Sequence, residues 1–248
     1  MARELYELAG SDPQRRFSPY CWRSRMALAH KGLEADCVPW RFTEGRAIAF
    51  SGQDKVPVLV DGDHVVADSW AIAEYLEDRY PEAPSLFNGA RQPVRFINAW
   101  ADTVLNLHLA RMIVSDIPQW LDESHRTYFR ASREARFGMA LEQVTQGREA
   151  RLPEFRAALQ PLRVILRAQP FLGGAAPDYG DYAVFGSFQW ARCVSSFPLL
   201  EASDAVHARR ERMLDLFGGW PGTCRTARPE GRRGWVKRLR HPIYAAPC

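Results

Sequence analysis

The chain lacks paired thiols. Its five cysteines, Cys21, Cys37, Cys193, Cys224 and Cys248, are odd in number, and no two stand as C-x-x-C. No histidine lies at metal-ligand spacing from any of them. That pattern argues against a disulfide framework and against a zinc site, and free thiols point to a reducing cytoplasm. The sequence also lacks the roughly 18 uninterrupted apolar residues that would cross a bilayer, so no membrane partner is expected. Its start, "MARELYELAG", carries acids inside the apolar pattern and reads as a first strand, not as a secretory signal. No internal repeat is visible. What remains is the composition of a globular protein: 248 residues, 46% apolar and 12% aromatic, enough for one large domain or two small ones.

The net charge of +4 is unevenly placed. Segment 225–240, "RTARPEGRRGWVKRLR", holds seven Arg/Lys and one Glu, a net of +6 that leaves −2 for everything else. Such a tail suits nucleic acid or an anionic membrane, or is a solvated extension. With one Trp it has little of the aromatic interleaving of single-strand binders, so no nucleic-acid partner is expected.

The first eighty residues alternate strand and helix. Residues 3–8 form a short strand candidate with Leu5 and Leu8. From Pro19 to Lys31 the pattern is helical: Trp22, Met26 and Ala29 recur at three- and four-residue steps, with Arg23, Arg25 and Lys31 between them. Ser18 stands at the N-cap, Pro19 at the first helical position and Gly32 just past the end. "ADCVPW" (35–40) reads as a second strand, near an edge because of Pro39. "KVPVLVDGDHVVADS" (55–69) reads as a hairpin with an Asp-Gly turn at 61–62. Ser69 then caps a helix with the stripe Ile72, Tyr75, Leu76 and Tyr80, ended by Pro81.

The order is a βαβ–ββα module with a mixed sheet, the first two strands parallel through a right-handed crossover. "PEAPSLFNGARQP" (81–93) is a linker. Helices are expected beyond it near 93–115, 124–147, 153–168, 181–194 and 204–217, with Pro161 disturbing the third. Asp178 and Asp181 resemble a capping box at the start of the fourth. The expected division is an α/β domain over 1–82, a linker over 83–93, an all-α domain over 94–222 and a basic tail over 223–248.

Three stretches then point one way. "SPYCWR" (18–23), "KVPVLVDG" (55–62) and "DSWAIAEYLEDRYP" (68–81) resemble, in order and spacing, the motifs of the cytosolic glutathione transferases. The likeness covers residues 3–87 closely and 91–220 loosely. It implies a thioredoxin-like α/β N-terminal domain, an all-α C-terminal domain, glutathione as cofactor and a homodimer. "FSPYCWRSRMALAHKG" together with the second helix start is similar, more narrowly, to bacterial β-etherase-type and fungal serine-type glutathione transferases. Those imply cleavage of aryl ethers in lignin fragments.

The resemblance gives roles to residues that also have plain readings. Ser18 would donate to the glutathione thiolate, and it is also an ordinary N-cap. Val56 and Pro57 would present a backbone edge through a cis bond, against a trans proline opening an edge strand. Asp68 suits the glutathione ammonium group and Ser69 its γ-glutamyl carboxylate, or the two simply cap a helix. Lys55 could pair with the glycyl carboxylate, with Gln53 a lesser candidate. Trp40 is core or ligand wall. Trp100, Leu107, His108 and Arg111, on the first long helix, are the candidate wall for an apolar aromatic electrophile, though the same residues could pack the core. Cys21 reads as a buried apolar residue one turn inside its helix. A thiol-disulfide enzyme working through Cys21, and a non-catalytic binder, are the competing functions.

Overall fold

The structure is a computed structural model and describes residues 3–227. Nearly all of the basic tail predicted from the sequence, from residue 228 onward, lies outside the described residues.

Four strands and two helices build the first part of the fold. They are β1 (Arg3–Leu8), α1 (Pro19–His30), β2 (Asp36–Trp40), β3 (Val58–Asp61), β4 (His64–Ala67) and α2 (Ser69–Arg79). The sheet order is β2-β1-β3-β4. β1 and β2 pair in parallel, with Leu8 opposite Trp40. β1 and β3 are antiparallel, with Tyr6 opposite Val58. β3 and β4 are antiparallel, with Val58 opposite Ala67. Pro39, which cannot donate to a ladder, is accommodated because β2 is an edge strand. Asp61 pairs with His64, so the hairpin loop is Gly62–Asp63, one residue later than the expected Asp-Gly turn.

The ends of α1 follow its sequence signals. Ser18 caps it, Pro19 takes the first position, and Gly32 follows at φ 68°, where a side chain would be strained. Its environment differs from the amphipathic reading. Arg23 is fully buried and Lys31 nearly so. A second layer covers the face that would otherwise meet water.

That layer is helical. α3 (Arg91–Trp100) continues through a π-turn at Ala101–Leu105 into α4 (Asn106–Ile113), one rod where one was expected. α5 (Glu123–Phe137) and α6 (Leu141–Thr145) replace the single helix expected over 124–147. Gly138, at φ 70°, takes the left-handed conformation that stops α5. α7 (Leu152–Ala158) and α8 (Gln160–Leu166) divide the third segment, because Pro161 fits the first turn of a new helix and not the interior of an old one. α9 (Tyr179–Val194) and α10 (Ala205–Leu214) follow. The last ends three residues early, as Phe217, Gly218 and Gly219 all adopt positive φ.

α9 begins at the expected capping box. The Asp181 N–H donates to Asp178 Oδ1 and the Asp178 N–H to Asp181 Oδ2, both at 3.2 Å. Its Tyr179, Tyr182 and Phe185 enter the same core as Leu5, Trp22, Met26, Leu59 and Leu76 beside the sheet. Each apolar side chain so removed from water contributes about 1.5–3 kcal/mol. The fold is therefore a mixed-sheet thioredoxin-like domain followed by an all-helical domain, joined through α9. Among the described residues no helix is long and apolar enough to cross a membrane.

Candidate functional site

Strand register brings three turns to one edge of the sheet. β1 and β2 end there, β3 begins there and β4 ends there. After β1 the chain loops out and returns: an isolated bridge pairs Ala9 with Arg16, which sets Ser18 and the start of α1 at the same edge. The Val56–Pro57 bond is cis. Val56 precedes β3 and so lies outside its ladder. The Asp68 N–H donates to the Pro57 carbonyl at 3.2 Å, tying this turn to the start of α2.

Ser18 is buried, and its Oγ accepts the Cys21 N–H at 3.3 Å. A helix N-terminus gathers unpaired N–H groups and partial positive charge, the setting for an anion. α2 offers a second such terminus. Its cap is Asp68 and not the expected Ser69. Asp68 Oδ1 accepts from Trp70 N–H at 2.9 Å and Ala71 N–H at 3.1 Å, and Ser69 is the first helical residue. The cap sits at φ 80°, an unusual value for a residue with a side chain, at a cost of order 1–3 kcal/mol. Strain held next to two helix termini marks a place where backbone position matters. Ser69 is buried, and its carbonyl accepts the Tyr179 hydroxyl at 2.7 Å.

Gln53 and Lys55 are exposed on the loop entering the cis turn, and the Gln53 N–H donates to Ser51 Oγ at 3.3 Å. Trp40 resolves as core, 4% exposed, with Nε1 donating to the Glu44 carbonyl at 2.8 Å. Cys21 is fully buried, and burial pushes its thiol up to about 12. It is neutral at physiological pH and is not an accessible nucleophile.

The four candidate wall residues are spread around the rod formed by α3 and α4. His108 is turned to Phe155 of α7, ring centres 6.2 Å apart. Leu107 and Arg111 are exposed, and Trp100 is half-buried against the core. The residues that meet α1 are polar. Arg23 Nη1 donates to Asn98 Oδ1 at 3.0 Å and Nη2 to Asp102 Oδ1 at 2.8 Å. Asn106 Nδ2 also reaches Asp102 Oδ1, at 3.4 Å.

An aromatic group beside Ser18 leaves almost no signal in the sequence. The Phe17 ring lies 6.3 Å from Phe42, which lies 5.4 Å from Phe129 and 6.1 Å from Tyr128. The Arg133 guanidinium caps both Phe42 and Phe129, at 5.5 and 5.1 Å from their centres. The group runs from the residue before Ser18 to α5, and Tyr128 is 46% exposed. Its only sequence signal was Phe17 itself, adjacent to Ser18, because the partners come from distant loops and helices.

A thioredoxin-like sheet with helix termini gathered at one edge and a helical domain against it defines a class that sequence comparison identifies. The family model for the glutathione S-transferase N-terminal domain matches residues 17–79, and that for the C-terminal domain matches residues 94–216. In this order they cover about three quarters of the chain, and the chain belongs to the glutathione S-transferase family.

Among curated proteins it is similar to glutathione S-transferase Z1 of Arabidopsis thaliana, 41% identical over 26% of this chain and 34% of that protein. A zeta-class glutathione S-transferase of Euphorbia esula is also 41% identical, over 26% of this chain and 31% of that protein. The chain thus spans about a third of the length of the curated relatives it matches. Among solved structures, glutathione transferase GSTFuA3 from Phanerochaete chrysosporium shares the fold at TM-score 0.72 and 24% identity, over 90% of this chain and 94% of that one. CsGST83044 of Ceriporiopsis subvermispora, solved in complex with glutathione, does so at 0.71 and 21%, over 88% and 94%.

Proposed function

We propose that this chain is a glutathione transferase that lowers the pKa of the glutathione thiol and directs it at an apolar aromatic electrophile. The observation that carries the reading is the meeting, on one sheet edge, of two helix N-termini, the Val56–Pro57 turn and the buried Ser18 hydroxyl.

The donor set fits the tripeptide. Glutathione has one ammonium group, two carboxylates and a thiol. Asp68 supplies the one negative charge, Ser69 and the α2 terminus take the γ-glutamyl carboxylate, and Lys55 with Gln53 takes the glycyl end. Val56 offers backbone groups outside the β3 ladder to the cysteinyl part. Bound there, glutathione supplies the nucleophilic sulfur.

Ser18 and the α1 terminus hold that sulfur as its anion. A thiol with the ordinary pKa of about 8.5 is only ~3% ionised at pH 7, and lowering it by two units takes roughly 2.7 kcal/mol of preferential stabilisation. A hydroxyl donor and a helix terminus both favour the charged form. The accessible Phe42 and Tyr128 rings, backed by the buried Phe17 and Phe129, form an apolar wall that orients an aromatic partner beside Ser18. Cys21, buried and with its pKa raised to about 12, leaves little support for the thiol-disulfide alternative.

The test is a thiolate absorbance titration of bound glutathione on the wild type and on Ser18→Ala. A wild-type thiol pKa well below the free value, rising in the variant, is expected. An unshifted wild type sinks the reading. Equal shifts in both would assign the effect to the helix terminus and leave Ser18 as a cap.

A narrower version, cleavage of β-aryl ethers of lignin-derived compounds, is favoured by the "SPYCWR" segment and by this aromatic wall. Turnover of a β-aryl ether model compound supports it, and reaction with other aromatic electrophiles alone removes it. The family resemblance carries with it a homodimer in the cytoplasm, which sedimentation of the full chain and fractionation of cells test.

A further inference from the structure

Two thiols outside this site meet behind α1. Cys193, near the end of α9, is buried, and Cys224, just after the 3-10 segment Leu216–Thr223, is partly exposed. Their sulfurs are 3.6 Å apart. A closure of roughly 1.5 Å would bring them to bonding distance.

Their surroundings give the two sulfurs different parts. Arg192 Nη1 donates to Cys224 Sγ at 2.9 Å and Gln189 Nε2 at 3.6 Å. The Cys193 thiol hydrogen-bonds the same sulfur and, with Arg192, draws the Cys224 thiol below its ordinary range against the effect of burial. The same bond, together with burial, pushes Cys193 well above the ordinary thiol range. The sulfur that faces the arginine is thus the readier thiolate of the two, and its neighbour keeps the proton. Cys224 also lines a cleft of about 440 Å³ with Arg16, Arg25, Trp220 and Cys37, through which a small oxidant reaches it; burial pushes the Cys37 thiol up to about 11, which leaves Cys224 the more reactive of the two.

We propose that Cys224 is a peroxide-reactive site and that Cys193 resolves it to a Cys193–Cys224 disulfide. The Cys224 thiolate attacks one oxygen of hydrogen peroxide. The O–O bond breaks, the departing hydroxide takes up a proton as water, and Cys224 becomes a sulfenic acid. The Cys193 sulfur then attacks the Cys224 sulfur. The S–S bond forms, the S–O bond breaks, and the hydroxide leaves with the Cys193 proton as a second water. Two thiols lose two electrons and one peroxide gains them.

The pair adjoins the parts that position Ser18. Arg15, in the loop before α1, donates to the Cys193 carbonyl. Trp220, four residues before Cys224, stacks on Trp22 of α1 at 5.8 Å.

The test is titration of the reduced full chain with hydrogen peroxide, followed by thiol counting and peptide mapping. The expected result is loss of two thiols per peroxide, a mass decrease of about 2 Da, a linked Cys193–Cys224 peptide, and a rate that rises with pH as the Cys224 thiol ionises. Cys193→Ser should stop the reaction at a sulfenic acid on Cys224 that dimedone traps, and Cys224→Ser should abolish the fast phase. The proposal is overturned if the wild-type link involves Cys21, Cys37 or Cys248, or if Cys224 stays reduced and unlabelled. Peptide mapping of the wild type decides this even where a variant folds poorly.

Discussion

Gly186 of α9 lies so close to Pro19 of α1 that a Cβ built on it would stand 2.3 Å from the Pro19 carbonyl oxygen. That oxygen is backbone and cannot rotate aside. The helical domain therefore sets the depth of the α1 terminus one residue from Ser18, and a residue without a side chain makes the approach possible.

Gly186→Ala should separate the two helices. Overpacking of this kind costs about 1–3 kcal/mol or more, and here it also displaces the turn that carries Ser18. Gly180→Ala is the control on the same helix. Its nearest contacts, both at 3.0 Å, are side-chain ends and not backbone: Ile97 Cδ1 can swing aside, while Asp178 Oδ1 is held by the cap bond and must give a few tenths of an ångström. Urea midpoints and conjugation rates should fall much further for Gly186→Ala than for Gly180→Ala. Equal losses in the two would contradict the close-approach argument.

Asp68 combines a cap, a strained backbone and a charge, and two substitutions separate them. Asp68→Ala removes the acceptor for Trp70 and Ala71 and puts a residue less tolerant of positive φ at the cap, so it should cost more than the roughly 1 kcal/mol of a lost cap alone. Asp68→Asn keeps an oxygen acceptor and a residue type tolerant of positive φ, but removes the charge. Its melting temperature should stay close to wild type while glutathione binding weakens several-fold. Unchanged affinity in Asp68→Asn, measured by calorimetry, would leave Asp68 as a cap alone.

The first eighty residues were legible because their signals are local. Ser18, Pro19, Gly32, Pro39 and Pro81 act on their own backbone, whatever packs nearby. Gly138 carried an equally local stop signal that the apolar pattern over 124–147 masked. The pairing of Arg23 with Asn98 and Asp102 was not legible. Arg23 lies in a helix with ordinary periodicity, and periodicity does not reveal that a second layer will cover the polar face. The aromatic group around Phe42 is non-local in the same sense. The misplaced cap shows a smaller limit: Asp68 and Ser69 are both good caps, and only the backbone at Asp68 decides between them.

The Arg23–Asp102 pair is asymmetric. Arg23 is fully buried and the Asp102 side chain is 31% exposed. Asp102→Ala leaves a guanidinium with no water and one fewer partner, a loss of about 3 kcal/mol. Arg23→Met replaces the buried cation with an apolar chain of similar length, and Asp102 can turn to solvent. Denaturant titration should rank Asp102→Ala below Arg23→Met. The reverse order would mean that shape, not charge, holds α1 against the rod of α3 and α4.

Two buried groups oppose each other as pH changes. His30 bonds the Tyr182 hydroxyl at 2.6 Å and the Ser85 carbonyl at 3.1 Å, and burial holds it down to about 4. An unfolded histidine titrates near 6.5, so the stability it contributes is present above about 6.5 and lost as pH falls toward 4. Asp178 is pushed up to about 6, by burial first and then by the charge of Asp181. An unfolded aspartate titrates near 3.9, so its folded state favours the proton, and that stability is lost as pH rises through about 6. Between pH 4 and 6 the two slopes have opposite signs. Asp178→Asn keeps an oxygen to accept the Asp181 N–H and removes the titration. Its stability relative to wild type should therefore rise by about 2–3 kcal/mol from pH 4 to above 6, read from urea midpoints across the range. A constant offset between the two proteins over that window would show that Asp178 does not titrate there.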